Sequence, residues 1–345
     1  VIQFLISLSQ RPNQKLSALV LTGAWLSLAL SSCASNNSPN PTATTVSNTT
    51  QDQSNVIRLG YQRGGLIPIA KQRGELTKEL AAQNVKAEWA GPFDRCASLL
   101  QAVTARKADV GSCGDIPGLS AIAAGQDLCI GAVQRPRPDS LGSAIVVRGN
   151  SPIRKPADLI GKKVAVNQGG AGEYLLLKVL EKEKIPKEKV QLVYLAPTDA
   201  APALYQATVD AWAVWEPYIS VAILEHGARR ITTTHPAPTY GVMLVHNETA
   251  RQSPQAVKAA FAALGKEAEW LNSNSDKASE FLVKDIKISS KVAKQVTENQ
   301  GPQAIVTPDA NDIANIQKTA DWLLDKKILP KRVDVASVVC PTAKQ

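Results

Sequence analysis

Methionine occurs once, histidine three times and cysteine five times in 345 residues. The cysteines form no CxxC pair and no cluster with histidine, so the spacings of a zinc site are missing. The histidines, His226, His235 and His246, fall in none of the loops where a ligand is expected. That argues against acid–base catalysis. There is no run of five like charges and no interleaving of aromatic with basic residues, which speaks against a nucleic-acid-binding class. The apolar stretch Leu16–Leu30 is too short, and too interrupted by serine, for a membrane span.

What is present suffices for two domains. Hydrophobic content of 44% and charged content of 20% place the bulk among soluble globular proteins. The net charge of +9 either attracts anions or serves solubility alone. Before Leu16 stand Arg11 and Lys15, and the stretch closes on Leu30-Ser31-Ser32-Cys33. A basic region, an apolar core and small residues before a cleavage point make an export signal. The cysteine after the small residues resembles the lipobox of bacterial lipoproteins, which implies that residues 1–33 are a lipoprotein signal and Cys33 is the lipidated residue. The alternative is an ordinary signal with an incidental cysteine. Val1–Ser9 reads as an extension ahead of the signal. Residues 34–55 hold Asn, Ser, Thr, Pro and Gln with almost no apolar content, so they are expected to be a disordered tether. Outside the cytoplasm Cys96, Cys113, Cys129 and Cys340 can pair, in three possible connectivities.

From Val56 strand and helix alternate, the pattern of an α/β fold with mostly parallel sheets between helices. VIRLGYQ, VKAEWAG, ADVGSC and LCIGAVQ read as strands, with helices up to about Ala82 and over Phe93–Lys107. SAIVVRG opens a second set: KVAVN, VQLVYLA and VDAWAVW as strands, with helices from Glu173, Asp199 and Ile219. YGVMLVHNE then heads back. Beyond Pro254 four helices follow, at Gln255–Leu271, Asp276–Lys284, Ser290–Asn299 and Asp309–Lys326. The expected architecture is two lobes, residues 56–143 with 242–345 and residues 144–241. The crossings fall near Gly142–Val147 and Tyr240–Val245, and two crossings make a hinge around a closing cleft.

In such sheets ligands lie beyond the carboxyl ends of the strands. Four strand ends stand out. Gln62-Arg63-Gly64-Gly65 and Ser112-Cys113-Gly114-Asp115-Ile116-Pro117 belong to the first set. Gln168-Gly169-Gly170-Ala171-Gly172 and Trp215-Glu216-Pro217 belong to the second. Each leads into a helix, so free backbone N–H groups and helix-dipole ends converge, as an anion site requires. Asp115 and Glu216 read as caps or as cleft residues. Of Trp212 and Trp215, which point to opposite faces of a strand, Trp215 is the expected ligand wall.

The series GYQ, SCGDIP, VAVNQGGAGEYLLLKVL and VDAWAVWEPY, with the tail motif LPKRVDV, resembles the aliphatic sulfonate-binding proteins of bacterial ABC importers over Val56–Val339. The resemblance implies the two-lobe periplasmic-binding-protein fold of type II. It implies capture of a small sulfonate, delivery to the transmembrane permease subunits, no cofactor, and no bond made or broken. The implied ligand residues are Gln62, Arg63, Cys113, Gly114, Asp115, Gln168, Gly169, Gly170, Ala171, Trp215 and Glu216. With the export signal, a monomer lipid-anchored in the periplasm is expected. The sequence departs from the family in two places. Gly170, Ala171 and Gly172 stand where the family carries hydroxyls, and Cys113 stands where it commonly has threonine, a better donor than a thiol. Arg135 and Arg137 either compensate or form a solvated basic loop. Taurine, whose amine would seek Glu173 or Glu216, nitrate, and a sensing role are the alternatives; an enzyme on the same fold is a more distant one.

Overall fold

Glycines, prolines and β-branched runs punctuate the described residues into eleven strands and twelve helices. The computed structural model describes residues 55–135, 140–232, 239–301 and 303–343. The export signal, Cys33 and the tether up to residue 54 lie outside the described residues, as do Arg137 and His235. The first elements are β1 (Val56–Gln62), α1 (Leu66–Arg73), α2 (Glu75–Ala82), β2 (Lys86–Phe93), α3 (Cys96–Thr104), β3 (Val110–Gly114), α4 (Asp115–Ala123) and β4 (Leu128–Gln134). Next come β5 (Ser143–Val147), β6 (Lys163–Val166), α5 (Ala171–Lys182), β7 (Gln191–Tyr194), α6 (Pro197–Tyr205), β8 (Ala211–Trp215), α7 (Tyr218–His226) and β9 (Arg229–Arg230). The last are β10 (Gly241–His246), α8 (Asn247–Gln252), α9 (Pro254–Ser273), α10 (Ser275–Ile286), α11 (Ser290–Gln300), β11 (Ile305–Val306) and α12 (Ala310–Asp325). No helix among the described residues is long and apolar enough to cross a membrane.

Two mixed sheets result. One has the order β11-β4-β10-β3-β1-β2, the other β7-β6-β8-β5-β9. In the first, β1 runs parallel to β2 and β3, while β10 runs antiparallel to β3 and β4. In the second, β6 runs parallel to β7 and β8, while β5 is antiparallel to β8 and β9. The arrangement repeats: in each sheet the strand that enters from the other half is inserted against the parallel direction. The segments expected to cross between halves, Gly142–Val147 and Tyr240–Val245, thus become β5 and β10 themselves.

Burial explains the elements. β4 and β5 are buried along almost their whole length, as central strands covered on both faces should be. The single helix expected up to Ala82 is broken at Gly74, whose φ of 77° only glycine adopts readily. α12 opens with a reciprocal capping box between Asp309 and Asp312. Of the C-terminal helices, α9 packs on α1 and α2, α12 packs on α4, and α11 packs on α7, beside the second sheet. The four cysteines pair as Cys96–Cys113 and Cys129–Cys340. The second pair ties the C-terminal segment to β4, next to a bridge between Ile130 and Val339.

Candidate functional site

The carboxyl ends of β1, β3 and β4 and those of β6, β7 and β8 meet at one cavity of ≈ 890 Å³, a size common for small-molecule sites. Five helices begin on its wall. Leu66 of α1, Cys96 of α3, Gly114 at the cap of α4, Ala171 of α5 and Pro197 of α6 all line it. A parallel strand–helix grammar forces this convergence, because every helix starts where its strand ends.

The Asn167–Glu173 segment is held by its own polar groups. The Gly169 N–H donates to Glu173 Oε2 at 2.7 Å, and the Gly172 N–H donates to Asn167 Oδ1 at 3.2 Å. The Tyr194 hydroxyl donates to Glu173 Oε1 at 2.8 Å. Burial, then the Glu173 carboxylate, pushes the Tyr194 phenol up to about 12. Gly169 has φ +63°, and a Cβ on Gly172 would collide with the Ala213 carbonyl of β8. At Gly170, where a Cβ would strike the Asn167 amide, and at Gly172 the absence of a side chain therefore has a local cause. This loop is packed tightly against Asn167 and β8.

Eight of the eleven expected ligand residues lie on the wall: Gln62, Cys113, Gly114, Gln168, Gly169, Gly170, Ala171 and Trp215. Gln62 Nε2 donates to the Ser112 carbonyl at 3.1 Å, which orients its amide between β1 and β3. Trp215 borders the cavity and meets Tyr218 edge-on at 6.0 Å, while Trp212 is 2% exposed in the core. Cys113 is joined to Cys96, so it offers no S–H at all. The weak thiol donor expected there is replaced by a covalent tie.

Three expected residues lie elsewhere. Arg63 is exposed and off the wall. Asp115 is buried, and its carboxylate accepts the N–H groups of Ile116 at 2.9 Å and Tyr240 at 3.1 Å. Burial nonetheless pushes its pKa up to about 7. Glu216 is also buried; it accepts Asn299 Nδ2 at 2.6 Å and Arg230 Nη2 at 3.3 Å on one oxygen and the Ser220 N–H at 3.1 Å on the other. Burial raises its pKa, against the Asn299 and Ser220 hydrogen bonds. Both carboxylates fasten segments together instead of facing the cavity. Glu173, the other candidate partner for an amine, is taken by Gly169 and Tyr194. Arg135 is spent as well, on Asp312 at 2.9 Å and Asp309 at 2.7 Å.

Sequence reasoning missed Arg95, Asn167 and Tyr194. The helix expected from Phe93 starts only at Cys96, which leaves Arg95 at its cap and on the cavity wall. No periodicity distinguishes that position from the helix interior. Among the described residues no group of three or more His, Cys, Asp or Glu could hold a metal ion.

The family model described as NMT1/THI5 like matches residues 83–278. An Escherichia coli (strain K12) protein named for aliphatic sulfonates binding is 31% identical over 81% of this chain and 86% of its own length. A Bacillus subtilis (strain 168) protein named for the same binding is 32% identical over 82% of this chain and 85% of its own. The alkanesulfonate-binding protein SsuA from Xanthomonas axonopodis pv. citri, solved bound to MOPS, superposes with a TM-score of 0.75 at 29% identity. The match covers 83% of this chain and 98% of that one. These relatives are named as binding proteins, and the SsuA structure superposes on the architecture described above. The chain belongs to the NMT1/THI5-like family, beside the aliphatic sulfonate-binding proteins.

Proposed function

We propose that this chain is the extracytoplasmic solute-binding component of an ABC importer and that it captures a small aliphatic sulfonate. The observation that carries this reading is the convergence of five helix starts on one cavity. Each start presents backbone N–H groups and the positive end of a dipole, which favour a fixed anion without a dedicated cation. Gln62, Gly114, Gln168 and Ala171 would hold the sulfonate oxygens, the Gly169 N–H being taken by Glu173 and the Gly170 N–H by the Asn167 carbonyl. Trp215 would flank the organic part.

The cavity wall carries no carboxylate among its described residues. A zwitterion such as taurine would find no partner for its amine there, and this favours a plain sulfonate. Capture works by closure. The ligand bridges residues 56–143 and 242–345 on one side and 144–241 on the other. It thereby stabilises the form that the permease subunits recognise. No bond is broken. Residues 34–55 would leash a monomer to the membrane through lipid on Cys33. Mass spectrometry of the membrane-extracted protein tests the anchor: an acylated Cys33 at the mature N-terminus is expected, and an unmodified one removes it.

The ligand is tested by thermal shift and calorimetry with short alkanesulfonates, taurine, nitrate, bicarbonate and phosphonates. A true ligand at a hundredfold excess over its Kd adds about 2.7 kcal/mol of stability. Alkanesulfonates are expected to give the largest shift. A shift with another solute and none with any sulfonate would sink the specificity while leaving the fold intact.

A further inference from the structure

Arg95 is the one charged side chain among the described residues of the cavity wall. The side chain is exposed, and its guanidinium makes no hydrogen bond or ion pair with any described residue; only the backbone carbonyl is engaged, by the Leu99 N–H at 3.3 Å. Several other arginines of the fold are engaged, among them Arg58 with Asp109, Arg135 with Asp309 and Asp312, and Arg230 with Glu216. An unpaired guanidinium on a wall without a carboxylate is a donor fork held ready for an anion. Its base is also fixed. Arg95 caps α3, and the next residue, Cys96, is joined to Cys113, with their Cα atoms 5.6 Å apart. One residue beyond Cys113, Gly114 caps α4 on the same wall. The disulfide therefore spaces the guanidinium's anchor point against an anion-facing helix start.

We propose that Arg95 is a specificity-determining residue that supplies the side-chain charge missing from the hydroxyl-poor glycine loop. We further propose that the Cys96–Cys113 bridge is its positioning element. The inference rests on the anion-binding reading above and deepens it. A guanidinium fork selects oxyanions with two coplanar acceptor oxygens, such as sulfonates, over a compact halide.

Calorimetry of the full chain with ethanesulfonate, in dilute buffer and in ~0.5 M salt, tests it. R95Q is expected to weaken binding about tenfold or more in dilute buffer, and R95K to recover only part of the loss. The gap should narrow in high salt, as an exposed charge requires and a packing role does not. In C96A/C113V, or in wild type treated with a phosphine reductant, the R95Q effect should shrink below about threefold, since the cation is no longer held in place. Unchanged binding in R95Q, with normal binding by the wild type, overturns this inference alone. Losses that simply multiply between R95Q and the opened bridge overturn the positioning role. A wild type that binds no anion overturns the functional reading and this inference together.

Discussion

Asp115 has two N–H donors on its carboxylate and almost no contact with water. The donors favour the ionised form and burial opposes it; burial wins, pushing the group up to about 7 from an ordinary 3.8. The sign follows. Between about pH 4 and pH 7 the folded chain keeps a proton that the unfolded chain has lost. Stability from this group is thus complete below pH 4, falls as pH rises toward 7, and stays level above that. Denaturant unfolding across this range should show a decline on the order of a few kcal/mol in wild type. D115N should lack that component. Parallel curves for the two proteins would remove the assignment. Glu216 shows how the same residue type serves assembly: through Asn299 it fastens the start of α7 to the end of α11.

The element that most shapes the site is the turn from β6 into α5. It combines a left-handed Gly169 with a Gly172 that has no room for a Cβ beneath the Ala213 carbonyl. G172A is therefore expected to lift α5 off β8 and to cost about 1–3 kcal/mol, read as a lowered Tm. Ligand affinity should fall with it, because the N-terminus of α5 is the part displaced. A neutral G172A would mean that the loop has slack and that the missing hydroxyls need another explanation. Glu173 completes this element. By accepting the Gly169 N–H it fixes the loop and removes that donor from the ligand's reach.

Across the whole molecule, the second sheet's α5 touches the C-terminal α12. Trp322 Nε1 donates to Glu181 Oε2 at 3.0 Å, and the Trp322 ring meets Tyr174 edge-on at 5.1 Å. Lys178 Nζ lies 4.8 Å from the centre of the same ring. None of these residues lines the cavity, so under the proposed capture by closure the contacts bear on closure and not on ligand contact. W322F keeps a ring and loses the hydrogen bond. At about 1 kcal/mol that loss should speed ligand release roughly fivefold in stopped-flow measurements, with little change in association. An unchanged release rate would show that the contact does not hold the closed form.

The sequence by itself determined the alternation of strands and helices, the four loops at strand ends and the outward turn of Trp215. These are local matters. Hydrophobic period, glycine and proline placement and strand alternation are written residue by residue, so Gln62, Gly114 and Gln168–Ala171 could be placed before any fold was seen. The boundary of α3 was not legible, since an arginine at a helix cap looks like one a turn further in, and Arg95 was missed for that reason. Only the tertiary structure decided how each polar group is spent. Asp115, Glu173, Glu216 and Arg135 are all plausible ligand partners by type, and each is consumed by a neighbour far along the chain or across a turn. The pairing of Cys96 with Cys113 is of the same kind. Hydrogen bonds and disulfides depend on distances of a few ångströms between segments whose separation in sequence carries no such information.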